Sequence, residues 1–117
     1  MHVKRFADAA PYEAPHHHGV VGLRLQGFEP GGPTNQWVGY SQFLPGGGAG
    51  PDATPFEKVY VVLSGEMTVR AGEQEIVLGP LDSCTIPPNE VREIANRSNH
   101  VCTMLVIIPY PSRSPAP

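Results

Sequence analysis

Asp52-Ala53-Thr54-Pro55-Phe56-Glu57-Lys58-Val59-Tyr60-Val61-Val62-Leu63-Ser64-Gly65-Glu66 is the stretch that decides the architecture. Its centre, Val59 to Leu63, is a run of β-branched, aromatic and aliphatic residues of strand length, and Ser64-Gly65 closes it with a turn signal. A strand over Glu57 to Leu63 and a second over Glu66 to Arg70 are expected as a hairpin-like pair across Ser64-Gly65.

Working outward, the same grammar repeats. Upstream, Val20 to Phe28 reads as a strand closed by Glu29-Pro30-Gly31-Gly32-Pro33. Gln36 to Leu44 reads as another, holding Trp37, Val38, Tyr40 and Phe43, and Pro45 to Pro51 reads as a glycine-rich loop. Downstream come Glu73 to Leu78, then Ser83 to Ile86 stopped by Pro87-Pro88-Asn89, then Val91 to Ala95 and Val101 to Ile108. No stretch of ten or more residues keeps an uninterrupted helical period with caps. Short strands at this spacing must close on each other to hide their edges, so an all-β barrel or sandwich is expected. Residues 1–18 read as an N-terminal arm, 19–110 as the barrel domain and 111–117 as a proline-rich tail that leaves the sheet.

Composition agrees. The 117 residues, 40% of them hydrophobic, allow one modest core, and 13 Gly with 14 Pro mark a chain of many turns. A net charge of -3 and basic residues scattered along the chain offer no stripe to neutralise a phosphate backbone, which argues against nucleic-acid binding. Met1 to Tyr12 has no apolar stretch of a signal peptide, and the run Cys102 to Ile108 is far too short to span a bilayer. Cys84 and Cys102 lack metal-finger spacing and read as reduced, buried thiols of a soluble cytoplasmic protein. Asn96-Arg97-Ser98 matches a glycosylation sequon, which without secretion is a chance match.

The segment from Pro45-Gly46-Gly47 through Gly65-Glu66 resembles the first motif of the cupin family: a glycine-rich loop, His-x-His, a spacer, Glu, and an apolar strand ending in Gly-Glu. Leu81 to Asn96 resembles the second, with Asp82, an apolar strand, Pro87 and Asn96 four residues past the position of the family's His. The resemblance covers roughly Val38 to Pro109 and implies a small jelly-roll barrel, a double-stranded β-helix. The departures bear on chemistry. The family's metal-binding His pair falls at Asp52 and Thr54, its Glu at Lys58 and its second-motif His at Arg92. Lys and Arg carry positive charge and offer no lone pair near neutral pH, so the usual metal site is not expected here.

The resemblance further implies that these four positions point inward. Lys58 and Arg92 would then face the interior with Asp52 and Thr54 at its mouth. Two cations in one pocket would attract a small carboxylate, with Tyr60 in the wall. The alternative is structural pairing, Lys58 with Asp52 and Arg92 with Glu90 or Glu93, which plugs the pocket. Lys58 is also a candidate catalyst, because burial and a neighbouring guanidinium lower an amine's pKa. His16-His17-His18 is the remaining feature: in an extended chain His16 and His18 share a face and, with Asp52, could hold a divalent metal, against the plainer reading of a solvated arm. Three functions stand open: a metal-free cupin binding a small anionic organic ligand, with or without isomerase or lyase activity; a metal-dependent dioxygenase, isomerase or decarboxylase with a relocated His/Asp site; and a regulatory partner with a vestigial pocket. A homodimer is what the family likeness implies.

Overall fold

In the computed structural model, residues 1–109 are described; the proline-rich tail, 111–117, lies outside them. Nine strands follow a short 3-10 turn at Phe6–Asp8: β1 (Ala10–Tyr12), β2 (His17–Gln26), β3 (Gln36–Asp52), β4 (Lys58–Ser64), β5 (Met67–Ala71), β6 (Gln74–Leu78), β7 (Ser83–Ile86), β8 (Arg92–Ala95) and β9 (Cys102–Pro109). The predicted strand at Ser83 to Ile86 matches its observed limits, and the others from β4 to β9 are displaced by a residue or so.

The strands form one antiparallel, nearly closed barrel, ordered β6-β5-β8-β3-β9-β4-β7, with β2 pairing β3 and β1 pairing β2. Strand β3 is the seam. Over 17 residues it pairs first with β9, from Gln36↔Pro109 to Phe43↔Cys102, and then with β8, through Gly48↔Ala95 and Ala49↔Ile94. One chain segment thus joins the β9–β4–β7 layer to the β8–β5–β6 layer. The glycine-rich stretch expected as a loop is the second half of this strand. Gly47 and Gly48 serve close approach: a Cβ on Gly47 would collide with the Gly19 carbonyl of β2, and one on Gly48 with the Ile94 carbonyl of β8.

The hairpin expected across Ser64-Gly65 does not form. Strand β4 pairs with β7 and β9, whereas β5 pairs with β6 and β8. Gly65, at φ +76, turns the chain from one layer into the other, a left-handed conformation that suits glycine. The arm also departs from expectation in that it joins the sheet: Ala10↔Arg24, Pro11↔Leu23 and Tyr12↔Gly22 pair β1 with β2, and β2 already begins at His17.

Alternation sets the inside. In β4 Lys58, Tyr60 and Val62 are buried and their neighbours are not; in β8 the buried pair is Arg92 and Ile94. One end of the barrel is solid, packed with Phe43, Val62, Met67, Cys102 and Met104, each at most 1% exposed. Cys84 and Cys102 are free thiols. Among the described residues no helix is long and apolar enough to cross a membrane.

Candidate functional site

The other end is hollow. A cavity of about 330 Å³ opens there, floored by Phe43, Ile94, Met104, Val106 and Ile108, with Trp37 beside them. Its polar wall carries Lys58, Tyr60 and Arg92. These three come from opposite layers and meet because period-two alternation turns each inward. Arg92 donates from Nε to the Tyr60 hydroxyl at 2.7 Å, a buried bond spanning 32 positions of sequence.

The structural pairings considered for these cations are absent. Lys58 Nζ donates to Thr54 Oγ1 at 2.8 Å, a neutral partner. Among the described residues no carboxylate lies within 4.0 Å of Lys58 or Arg92, and Asp52 Oδ1 instead accepts from the Ala53 amide at 2.9 Å. Arg92 is 4% exposed and Lys58 8%, and Arg92 Nη1 is buried with no hydrogen-bond partner. Asp52 and Thr54, expected at the mouth, are half-buried and do not form part of the cavity wall.

The electrostatics follow from this crowding. Burial, reinforced by the Arg92 charge and opposed by Asp52, holds the Lys58 amine below its ordinary pKa. Burial raises the Tyr60 phenol, while the Arg92 charge and hydrogen bond pull it the other way. Tyr60 therefore keeps its proton, and since its oxygen accepts from Arg92, its own O–H is left to donate.

The arm supplies the remaining wall. Tyr12, Glu13, Ala14 and Pro15 border the cavity, with the Tyr12 ring set edge-on to Trp37 at 4.9 Å between centroids. His17 lies there too, and neither His16 nor His18 does. The face shared by His16 and His18 is thus not the one that looks into the barrel. Val20 packs on the core, so simple alternation would turn His18 inward; a register shift between His18 and Val20 reverses the phase and turns His17 inward instead. His16 precedes the strand at φ 59. No local sequence signal marks His17, because that bulge is set by pairing with β3. His17 Nδ1 lies 2.7 Å from the Pro15 carbonyl, an acceptor, so Nδ1 carries the proton and Nε2 is the basic nitrogen of the neutral ring. Burial, partly offset by that bond, lowers the His17 pKa. Among the described residues no three His, Cys, Asp or Glu side chains gather closely enough to hold a metal ion, so His16, His18 and Asp52 do not form the relocated site considered above.

A second cavity of about 270 Å³ adjoins the first on the arm side, lined by Tyr12, Glu13, His17, His18 and Ser41 among others. Glu13 is the single acidic side chain in the wall of either cavity among the described residues.

The comparisons extend the same picture. The protein named beta-D-galactosidase Rv1717, of Mycobacterium tuberculosis, is 44% identical over 111 residues, covering 95% of this chain and 96% of that one. The polyketide cyclase RemF of Streptomyces resistomycificus superposes with a TM-score of 0.80 at 20% identity, covering 93% of this chain and 79% of its own. An RmlC-like cupin of Shewanella frigidimarina gives 0.77 at 17% identity, covering 97% and 94%. The family model described as cupin domain matches residues 39–108, the span that contains β4 with Lys58 and Tyr60 and β8 with Arg92. With that match over more than half its length and its strands wound as a jelly roll, this chain belongs to the cupin family.

Proposed function

We propose that this protein binds a small organic acid without a metal, the carboxylate held by Lys58 and Arg92 and the apolar body lying against Phe43, Trp37 and Met104. The observation that carries this reading is the pair of buried cations with no acid within ion-pair distance. Desolvating a charge costs several kcal/mol unless a partner compensates it, and about that much is recovered only when an anion arrives with good geometry. The free edge of the Arg92 guanidinium and the Tyr60 O–H match a carboxylate's two oxygens. The test is thermal unfolding with 3-phenylpropanoate and with its neutral counterpart 3-phenylpropan-1-ol. The acid should raise the melting temperature by several degrees, since a ligand at a hundred times its Kd adds about 2.7 kcal/mol. The alcohol should not, and Lys58→Met should abolish the rise. Equal stabilisation by acid and alcohol, or by neither, rejects the reading.

A second reading is hydrolysis of a β-D-galactoside, favoured by the 44% identity to a protein named for that activity. The second cavity offers hydroxyl, imidazole and carboxylate groups suited to a sugar. The usual mechanism needs two carboxyl groups about 5–9.5 Å apart, and the walls here supply Glu13 alone. Release of nitrophenol from o-nitrophenyl β-D-galactoside, lost in Glu13→Gln, would establish it; no release by the unaltered protein would dismiss it.

A further inference from the structure

The sequence contains two lysines, and the fold treats them differently. Lys4 Nζ is held 2.8 Å from Glu29 Oε2 in an ion pair, with Arg24 Nη2 on the same oxygen at 3.7 Å. Lys58 Nζ stands in the cavity wall beside Arg92, bonded to a threonine hydroxyl. A hydroxyl has no charge to hold the amine protonated, whereas a carboxylate holds it charged.

We propose that Lys58 is a carbonyl-capturing amine, forming a reversible imine with 2-oxo acids whose carboxylate is held by Arg92. This rests on the anion-binding reading above and adds a covalent step to it. In a 2-oxo acid the carbonyl carbon is bonded directly to the carboxyl carbon, so a carboxylate fixed by the guanidinium brings the ketone to the neighbouring amine. The apolar floor of Phe43, Met104, Val106 and Ile108 then takes the substituent on the other side of the carbonyl. The Nζ lone pair adds to the carbonyl carbon, the two amine protons pass to the carbonyl oxygen, that oxygen leaves as water, and the C=N bond forms. One ketone and one amine give one imine and one water, with no change of oxidation state.

Three features of the site favour the step. The amine is desolvated and lies next to a second cation, two conditions that lower its pKa against the opposing pull of Asp52 and ease release of the proton that frees its lone pair. The Tyr60 O–H, kept protonated by burial, is a proton donor at the same wall. The His17 Nε2 is a base for the proton released when the carbinolamine loses water, its tautomer fixed by the Pro15 carbonyl.

The experiment is borohydride reduction of the full chain in the presence of phenylpyruvate, followed by peptide mass spectrometry, with 3-phenylpropanoate as the analogue that keeps the carboxylate and lacks the ketone. The expected result is one reduced adduct per chain on Lys58, none on Lys4, suppressed by excess 3-phenylpropanoate. Lys58→Arg, which keeps the cation, should lose the adduct and retain at least half of the melting-temperature rise given by 3-phenylpropanoate. That rise also reports that the variant is folded. Absence of the adduct in a protein that 3-phenylpropanoate stabilises overturns the imine and leaves the binding reading standing. Absence of both adduct and stabilisation overturns both. Equal labelling of Lys4 and Lys58 overturns the site assignment.

Discussion

Around Asn96 the barrel buries polar atoms and gives each a partner, whereas around Arg92 it buries a charge and leaves Nη1 with none. Asn96 is fully buried four residues beyond Arg92. Its Nδ2 donates to the Phe43 carbonyl at 3.0 Å and the His100 carbonyl at 2.7 Å. Its Oδ1 accepts from the Ser98 amide at 3.1 Å and the Ser98 hydroxyl at 2.7 Å. All four side-chain positions are used, at the end where Met67 and Val62 leave no space. The hollow end spends its interior differently, on cations that the protein itself does not neutralise. The contrast teaches that the packed end carries the stability while the hollow end is where the proposed binding would take place, since an unpartnered buried charge adds nothing to folding.

Substitutions can break or sharpen this contrast. The largest loss belongs to Met67→Ala, which empties a fully buried position away from the cavity wall; about 2–5 kcal/mol should disappear in urea unfolding. A loss under about 1 kcal/mol would mean that the packed end collapses around the gap and is not the stability centre. Asn96→Ala comes next, leaving the Phe43 and His100 carbonyls buried without their donor, at about 1–3 kcal/mol by the same measurement. A negligible change would put Asn96 on the same footing as the hollow end.

The smallest effect is read in pH. Burial holds folded His17 below the ordinary value of 6.5, so below pH 6.5 the unfolded chain binds a proton before the folded one does. Stability therefore rises with pH across that window and is lost as pH falls through it. Melting temperatures at pH 7 and pH 5 should separate further in the unaltered protein than in His17→Gln. An identical separation would place His17 in solvent instead of the cavity wall.

The parts legible in the sequence are those set by neighbours in the chain. Period-two alternation through Lys58, Val59, Tyr60 and Val61 is enough to turn Lys58 and Tyr60 to one face, and the likeness to the family's motifs identifies Arg92 as their counterpart. What the sequence hides is fixed by long-range pairing. Ser64-Gly65 has the composition of a hairpin, yet β4 finds β9 and β5 finds β8, because burying both apolar faces requires the two strands to sit in opposite layers. Gly46 to Gly48 looks like a loop in isolation and is strand in the fold, where β2 and β8 approach Gly47 and Gly48 too closely for side chains. The shift between His18 and Val20 likewise arises from pairing with β3, so no local rule could choose His17 over its neighbours.

The three-residue strand β1 ties the arm wall of the cavity to the barrel. Tyr12 is at once the last partner in its ladder and the ring against Trp37, so the arm side of the wall stays in place until three residue pairs and one ring contact separate. Under the binding reading, a ligand that left on that side would have its dwell time set in part by how often this short edge strand opens. A chain cut back past Tyr12 would keep Lys58 and Arg92 and lose that wall.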